Sequence, residues 1–497
     1  MVEPVRQAAP DDHKHRAQSD LGGGKDIGFF GGITLLTNSI TGPGLVTIPL
    51  LFQQAGWVSP LLCMIIIAGI SCLAAIMLCS AMEKVPGNER FKGRVEFSAV
   101  AKEFLPIWAY RVTIFLLILS LLAVFISSVV VSAQTVDIAI IAVFKKTFAL
   151  ELWPSFGFTY ATMSPGAGNS PFGSDYVISL GFIIVLIITI PMGLFNLEDN
   201  IIVQKGAFVL LLVIFAEWFV ACFTLGLDVS RVPAFLNDQT NVLGSIIFNY
   251  AFITTVPSWC NERRPDVPIK KSIWISVATA TVFYAAIGFV GGFAFTFGDN
   301  QDLLIVIDEN TRGRSILHPL SQVCVYLFPI IAFQSSIPVF SIIIKYNLIQ
   351  NEICTKHTAT WWAVIFPWVI SIGFYAGAGV IEVINWTSLC INGIINFVIP
   401  MLLYIISRKR KRINRIITKR RRHDSLTLYS DDERDAESSD DELLKDDYIA
   451  DDYKFKVMPN SRFLRPTCIA ITSIVVVTIL SVAVIVINVV ETIKLPH

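Results

Sequence analysis

The sequence predicts an all-α polytopic membrane protein in which eleven helices cross the bilayer and two of them are broken. Of its 497 residues, 54% are hydrophobic and only 16% are charged, whereas about a quarter of the residues of a soluble protein carry charge. Apolar residues also occur in runs of roughly 20, the length that a helix needs to cross about 30 Å of hydrocarbon. This composition excludes a soluble enzyme, a nucleic-acid-binding protein and a secreted disulfide scaffold.

Eleven apolar stretches are long enough to cross a membrane, and polar segments separate them. We place these spans at residues 28–52, 57–82, 110–136, 176–195, 205–226, 241–258, 272–297, 316–343, 360–379, 383–406 and 466–491. They form one group of five at residues 28–226, a second group of five at 241–406, and an extra C-terminal span at 466–491. Outside the spans we expect a disordered N-terminal tail at residues 1–27 and a charged, disordered insert at residues 407–465.

The distribution of basic residues orients the chain in the membrane. All but six of the 39 Lys and Arg residues lie on one side, in the N-terminal tail, the insert and the loops between them. Because cytosolic loops carry an excess of Lys and Arg, we expect the N-terminus to be cytosolic and the C-terminus to lie outside or in a lumen. The same pattern fits the plasma membrane and an endosomal, lysosomal or vacuolar membrane.

The first span contains a sequence that opposes helix. Gly42-Pro43-Gly44 removes one N–H donor, disfavours helical geometry at Gly42 and adds two residues without side-chain restraint. Backbone groups freed in hydrocarbon cost several kcal/mol each unless something satisfies them. We therefore expect this break to lie against a cavity or within protein; a simple kink repaired by neighbouring helices is the alternative.

The sixth span is interrupted as well. Amide, phenol and hydroxyl groups crowd the apolar stretch from Asn249 to Thr255, and Pro257 follows. Taken alone, this pattern is typical of hydrogen bonding between membrane helices. The two interrupted spans begin five spans apart, however, and broken helices at corresponding positions of two halves favour an inverted-repeat transporter with its substrate at the midplane.

Such a pair of breaks suits a zwitterion. The N-terminus of a half-helix attracts a carboxylate by about 0.3–2 kcal/mol, and unwound carbonyls and hydroxyls suit an ammonium group or a small cation. An amino acid is thus the natural ligand, although other small carboxylates or amines fit the same chemistry. The candidate substrate-binding residues are Ser39, Ile40, Thr41, Gly42, Gly44, Tyr250, Phe252, Thr254 and Thr255.

These residues carry a resemblance to the amino acid/auxin permease family of transmembrane amino acid transporters. The family signature N-x-[IV]-x-G-x-G-[IL] is similar to the string Asn38-Ser39-Ile40-Thr41-Gly42-Pro43-Gly44-Leu45. Residues 255–262, 337–341, 346–348 and 400 support the resemblance, which covers residues 28–406. It implies a LeuT-type fold of five-plus-five inverted repeats and secondary active transport of amino acids by symport with H⁺ or Na⁺.

The resemblance also implies a place for a coupling ion. In sodium-coupled relatives an Asn of the first span and a Thr of the eighth lie at the cation site. Asn38 matches that Asn, and Ser336 falls where the Thr would be and keeps its hydroxyl. Many relatives are proton-coupled, so the choice between Na⁺ and H⁺ stays open, and no other metal or cofactor is expected.

Ionisable residues inside the spans are further candidates, because charging one at the bilayer centre costs at least about 2.5–3.5 kcal/mol. Glu217 lies midway along the fifth span. It is a candidate proton carrier, with a neutral or paired structural carboxylate as the alternative. We expect Asp137 and Glu382, near the outer ends of their spans, to be interfacial.

The insert between the last two spans suggests partners of its own. Ten of the fifteen residues from Arg408 to Arg422 are basic, which predicts attraction to anionic lipid on the cytosolic side. The acidic stretch that follows, residues 424–452, contains a sequence at residues 440–444 that resembles an acidic dileucine sorting signal. Leu443 and Leu444 would then bind a sorting adaptor.

Two classes of function fit these observations. The first is a secondary active transporter of small amino acids. The second is an amino-acid sensor that uses the same pocket, transports little and signals through its cytosolic segments, for which the charged insert would serve. A channel is disfavoured because the sequence has no filter motif or charged pore-lining repeat, and an enzyme because no catalytic or metal-ligand cluster occurs; the nine cysteines have neither CxxC nor Cys–His spacing.

Overall fold

The computed structural model describes residues 24–162, 170–173, 176–239, 241–298, 303–314, 317–375, 391–410, 455, 457 and 466–494. In the first half of the chain the helices and strands are α1 (Phe29–Ile40), a 3₁₀ turn (Pro43–Thr47), α2 (Ile48–Ala55), α3 (Val58–Met82), α4 (Phe97–Phe104), α5 (Ile107–Phe144), β1 (Thr147–Trp153), β2 (Gly157–Ala161), β3 (Tyr176–Ser179), α6 (Leu180–Leu194) and α7 (Ile201–Leu225). The second half contains α8 (Val242–Asn249), a 3₁₀ turn (Ile253–Thr255), α9 (Val256–Glu262), α10 (Ile269–Ala294), α11 (Leu303–Thr311), α12 (Leu317–Gln350), α13 (Lys356–Thr360), a π-helical turn (Trp361–Ile365), α14 (Phe366–Phe374), a second π-helical turn (Ile394–Val398) and α15 (Pro466–Lys494).

Eight membrane spans can be assigned within the described residues. Seven are long and apolar enough by themselves: α3, α5, α7, the run Val242–Glu262 that joins α8 to α9, α10, α12 and the Pro466–Ala483 part of α15. The eighth is a bent pair, Phe29–Ile40 with Gly44–Ala55. Helix α6 is apolar but has only 15 residues, and the predicted spans at 360–379 and 383–406 extend outside the described residues. The protein is therefore a helical polytopic membrane protein, and the number eleven stays a prediction.

A small β-sheet departs from the all-α prediction. Strand β1 lies at its centre and pairs antiparallel with β2 and β3, in a region where the sequence predicted a polar loop. Because residues 176–179 extend this sheet, the fourth apolar helix begins at Leu180 rather than at residue 176. The sheet thus covers the C-terminal end of α5 and the start of α6.

Asp137, predicted near the outer end of its span, is buried within the protein beneath this sheet. Its side chain is 0% exposed. Thr147 Oγ1 donates to Asp137 Oδ1 at 2.7 Å, Gly181 N donates to the same oxygen at 2.9 Å, and Tyr375 OH donates to Oδ2 at 2.6 Å. Three donors from separate elements compensate the burial, which no local reading of residues 130–140 reveals.

The helices pack into a core around the two breaks. Helix α12 packs against α5, α6 and α7, while α10 packs against α1, α2 and α3. Helix α5, with 38 residues, is about 57 Å long and connects two opposite ends of the molecule. We call the end near Phe97–Phe104 the α4 end and the end near β1–β3 the sheet end.

Several predictions for polar segments lie outside the described residues. These are Glu382, most of the basic run from Arg408 to Arg422, the acidic stretch, and the Leu443–Leu444 pair. Of the basic run, Arg410 is described, and its Nη1 lies 2.9 Å from Glu103 Oε1. This ion pair ties the start of the insert to the C-terminal end of α4.

Candidate functional site

The first break follows from the Gly42-Pro43 pair. Helix α1 ends at Ile40, Thr41 N donates to Thr37 O at 2.8 Å, and Gly42 takes an extended conformation with φ −89° and ψ −160°. The residue before a proline is pushed towards such geometry by contact with the ring. The chain then resumes as a 3₁₀ turn at Pro43, and the helices on either side are bent by 56°.

The second break lies in the sixth predicted span. Helix α8 ends at Asn249, residues 250–252 are not helical, and the chain resumes as a 3₁₀ turn that leads into α9. Asn396 Oδ1 accepts a hydrogen bond from Thr254 N at 3.3 Å. One backbone donor freed by the break is therefore satisfied by a side chain from another helix.

The two breaks touch each other through Gly44 and Asn249. A Cβ atom on Gly44 would lie 2.0 Å from Asn249 Oδ1. No side chain can be accommodated at that distance, so only glycine at position 44 allows this close approach. The contact brings the interruption of α1–α2 directly against the interruption of α8–α9.

A cavity of about 50 Å³ lies between the breaks. Polar and apolar side chains share its wall: Asn38, Ser39, Ile40, Gly42, Ser120, Leu121, Val124, Ser128, Phe248, Asn249, Ala251, Phe252, Thr254, Thr255, Ser336, Phe340 and Asn392. Among the described residues that line it, none is ionisable. The cavity therefore offers hydrogen bonds and apolar contacts without a fixed side-chain charge.

Two asparagines on this wall have buried polar atoms without a hydrogen-bond partner. They are Asn249, through both Oδ1 and Nδ2, and Asn38, through Oδ1. Both residues are less than 5% exposed. Buried polar groups in proteins are nearly always satisfied by protein, water or ligand, so these amides can bind a polar ligand or ordered water.

Most of the predicted substrate-binding residues meet at this cavity. They are Ser39, Ile40, Gly42, Phe252, Thr254 and Thr255, together with the predicted ion-site residues Asn38 and Ser336. The structure does not bring Thr41, Gly44 or Tyr250 to the wall. Thr41 Oγ1 donates to Thr37 O at 2.9 Å, Gly44 packs on Asn249, and the Tyr250 hydroxyl lies 2.7 Å from Thr281 Oγ1.

The predicted ion-site residues make hydrogen bonds within the protein. Asn38 Nδ2 donates to Gln204 O and to Gln204 Oε1, both at 2.9 Å. Gln204 Nε2 donates to Ser335 O at 2.5 Å. The Ser336 hydroxyl donates to Ala332 O at 3.2 Å, within its own helix. Asn38 and Ser336 therefore share the cavity, and Gln204 joins their two helices.

Glu217 does not line the cavity. It lies on α7, 13 residues beyond Gln204 and hence about 20 Å further along the helix axis. It is 7% exposed, Ser321 Oγ donates to its Oε1 at 2.5 Å, and its Oε2 has no partner. Glu217 is thus a buried carboxylate held by another helix, at a distance from the two breaks.

Sequence reasoning missed one wall of the cavity. Helix α5 contributes Ser120, Leu121, Val124 and Ser128, and Ser120 Oγ donates to Asn392 Oδ1 across the cavity region. A signal was present, because Ser120, Val124 and Ser128 recur at four-residue spacing and share one face of a helix. Two hydroxyls on one face of an apolar span indicate a polar neighbour there.

The chain matches solved structures of transporters. It is similar to Mhp1, a nucleobase-cation-symport-1 family transporter in a closed conformation with bromovinylhydantoin bound, with a TM-score of 0.53, 14% identity, and coverage of 75% of this chain and 77% of that one. It is also similar to MhsT in complex with L-phenylalanine, with a TM-score of 0.54, 12% identity, and coverage of 91% and 98%. At these identities the likeness establishes a LeuT-type fold.

A curated relative and a family match complete the comparison. The chain is 22% identical over 365 residues to the Caenorhabditis elegans protein called transmembrane protein 104 homolog, covering 65% of this chain and 69% of that protein. Residues 25–422 match the family described as transmembrane amino acid transporter protein. The match covers most of the chain and includes both helix breaks and the cavity. Because both the family and the fold are those of transporters, the protein is not an enzyme. The chain belongs to the transmembrane amino acid transporter family.

Proposed function

We propose that the protein is a secondary active transporter that moves small, uncharged amino acids by alternating access, coupled to a proton or sodium gradient. The observation that supports this most directly is the cavity between two touching helix breaks, whose wall includes the unpartnered amides of Asn38 and Asn249. Membership of the transporter family and the transporter fold point the same way. MhsT and Mhp1, as their descriptions say, bind L-phenylalanine and bromovinylhydantoin.

The size and chemistry of the cavity limit the substrate. A volume of about 50 Å³ holds roughly three to five waters, which favours a small ligand in this conformation. A charged side chain would be buried without an ionised partner among the described wall residues, and burying an unpaired charge is strongly unfavourable. The carboxylate would bind at the N-terminus of the Pro43–Thr47 turn and the ammonium at hydroxyls and amide oxygens.

A test measures uptake of labelled amino acids into proteoliposomes with an imposed proton or sodium gradient. Val124→Phe fills the cavity with a ring, so we expect at least about a tenfold loss of uptake. Leu119→Phe is the matched control, because Leu119 lies on the same helix and is 38% exposed. Equal uptake by the two variants would contradict the proposed site.

The same experiment separates the transporter from the amino-acid sensor. A sensor would bind the labelled amino acid, with binding lost in Val124→Phe, but would give no uptake and no exchange. Flux under a gradient supports the transporter. Binding without flux would replace this proposal by the sensor.

Glu217 is the proposed proton carrier if the coupling ion is H⁺. Its burial and its unpartnered Oε2 support a carboxylate that can bind a proton. Glu217→Gln is then expected to abolish accumulation driven by a pH gradient and to leave exchange of substrate intact. Unchanged accumulation in this variant would remove Glu217 from the mechanism.

Orientation and partners complete the proposal. The excess of Lys and Arg favours a cytosolic α4 end, with the basic run from Arg408 to Arg422 bound to anionic lipid.

The sequence at residues 440–444 is the proposed sorting signal. Deleting Leu443 and Leu444 is expected to redistribute the protein among cell membranes, and an unchanged distribution would contradict this signal.

A further inference from the structure

One buried amide links three helices beside the cavity. Gln204 on α7 is 1% exposed. Its main-chain and side-chain oxygens both accept from Asn38 Nδ2 on α1, two residues before that helix ends, and its Nε2 donates to Ser335 O on α12. Through this one residue, the end of α1 at the break is tied to α12.

The atoms at this junction are arranged for hydrogen bonding rather than for a cation. Hard cations bind several oxygen ligands. Here amide hydrogens already bind three of the oxygens: Gln204 O, Gln204 Oε1 and Ser335 O. The donors are the NH₂ groups of Asn38 and Gln204, which are positively polarised and point towards these oxygens. The Ser336 hydroxyl donates to Ala332 O. Asn38 Oδ1 is the one oxygen of this set with no hydrogen-bond partner, so the set does not fit a sodium site.

We propose that the Gln204 amide takes the place of a coupling cation at the junction of α1 and α12. Gln204 is then a positioning residue that holds α1 against α12 beside the cavity. Na⁺ neither stabilises this contact nor drives transport. This inference rests on the proposed function and deepens it, since it leaves the proton as the coupling ion.

The substitution Gln204→Glu tests the role of the amide. A protonated carboxylic acid can replace it, because the carbonyl oxygen accepts from Asn38 and the O–H donates to Ser335 O, whereas an ionised carboxylate has no hydrogen to donate. The described hydrogen bonds of this junction involve no ionisable side chain, and the neighbouring Lys205 is exposed. We therefore expect transport close to wild type at about pH 5.5 and at least about tenfold slower at about pH 8.

The pH profile distinguishes this role from simple packing. Gln204→Met removes both side-chain hydrogen bonds at every pH and leaves only the one to the main-chain oxygen, so it should be slow at both pH values. Gln239→Glu adds the same charge at an exposed amide in the loop before α8 and should keep the wild-type profile. A Gln204→Glu profile that is the same as that of the wild type would overturn the assignment.

A second measurement does not depend on transport. Thermal unfolding of the purified protein in detergent is compared in sodium chloride and in choline chloride at equal ionic strength and pH. We expect the same unfolding midpoint in both salts for the wild type, and a midpoint raised by Na⁺ for Gln204→Glu at about pH 8, where the carboxylate supplies oxygen ligands. A sodium-specific stabilisation of the wild type that is lost in Asn38→Ala would overturn the proposal, whether or not the protein proves to be a transporter.

Discussion

The two ends of the molecule both bury carboxylates, but they attach them to different parts of the fold. At the sheet end, Asp137 of α5 accepts hydrogen bonds from Thr147, Gly181 and Tyr375. These donors belong to β1, to the first turn of α6 and to the residue after α14. None of these elements is interrupted by one of the two helix breaks. The contacts of Asp137 therefore connect α5 to β1, α6 and the end of α14 at a distance from the cavity.

At the α4 end, Glu262 connects the broken helices to their neighbours. It is 0% exposed and is the last residue of α9. Tyr346 OH of α12 donates to Glu262 Oε1 at 2.8 Å, Glu198 N donates to Oε2 at 2.7 Å, and Ile27 N donates to the Glu262 main-chain oxygen at 3.0 Å. One residue thus holds the start of α1, the end of α9 and the end of α12 together.

Glu96 extends the same network. It lies just before α4 and is 1% exposed. Ser258 Oγ donates to Glu96 Oε2 and Asn261 Nδ2 donates to Oε1, both at 2.7 Å. Both donors lie on α9, so this second carboxylate holds the half-helix that follows the second break.

The difference indicates which contacts have to break when the half-helices move. Alternating access requires the half-helices beside a midplane site to move relative to the rest. The carboxylates of the α4 end bind those half-helices, whereas Asp137 does not. We call Asp137 with its three donors the fixed joint, and Glu262 and Glu96 with their donors the latch. We interpret the contacts of the latch as those that break when the half-helices move, and those of the fixed joint as contacts that persist.

Asp137→Ala should have the largest effect, and it should act on stability. The variant leaves three buried donors unsatisfied, each costing about 1–3 kcal/mol, so we expect the free energy of unfolding to fall by about 3 kcal/mol or more. Denaturation in detergent measures it. Asp228→Ala is the control, since Asp228 is exposed and its described carboxylate contacts are with Ser230 and Arg231; a loss as large in that variant would contradict the fixed joint.

Tyr346→Phe and Tyr375→Phe form a matched pair that separates the two ends. Each removes one hydroxyl that donates to a buried carboxylate, Glu262 and Asp137 respectively, at a cost of about 1.5–3 kcal/mol. At the latch this cost should appear as a roughly tenfold to hundredfold shift towards the open state. At the fixed joint it should appear as lower stability only.

The opening can be followed through a cysteine beside the latch. Cys260 is 1% exposed, and its Sγ lies 3.5 Å from Cys79 Sγ. In a protein that keeps Cys260 and lacks the other cysteines, a thiol reagent should label faster after Tyr346→Phe and at the original rate after Tyr375→Phe. Equal acceleration by both substitutions would remove the distinction between joint and latch.

Local sequence rules located the breaks but could not assemble the site. Gly42-Pro43-Gly44 opposes helix by itself, so the interruption of the first span was readable, and six of the nine proposed substrate-binding residues line the cavity. Thr41 and Tyr250 flank the breaks too, but their side chains point into other contacts, because rotation about a broken helix is set by tertiary packing.

The contacts between distant segments could not be predicted from the sequence. Ser120 meets Asn392 across 272 residues, and Ser258 meets Glu96 across 162. The position of Asp137 depends on the sheet, which forms from residues that read as a polar loop. Helical periodicity places a residue on a face, but the partner of that face is decided by topology.

The smallest expected effect is a pH dependence of the latch that comes from Glu96. Burial raises the pKa of Glu96 to about 7, although hydrogen bonds from Ser258 and Asn261 and the charge of Arg94 oppose the rise; Glu262 is the other carboxylate of this network. Because the folded-state pKa lies above the unfolded value of about 4.3, stability is greatest when Glu96 is protonated and is lost as pH rises through 7. The loss between about pH 6 and about pH 8 is then about 1.4 kcal/mol.

Glu96→Gln should lower this loss of stability by about 1.4 kcal/mol, because the amide resembles the protonated acid and does not titrate, while Glu262 keeps its own contribution to the slope. Glu103→Gln is the control, since Glu103 lies at the end of α4 in a partly exposed ion pair with Arg410. Unfolding in detergent at the two pH values measures the difference, and a slope in Glu96→Gln as steep as in the wild type would contradict the assignment. Asp137→Asn at the sheet end should leave the Glu96 part of the slope in place while it lowers stability, because Glu96 belongs to the latch and not to the joint.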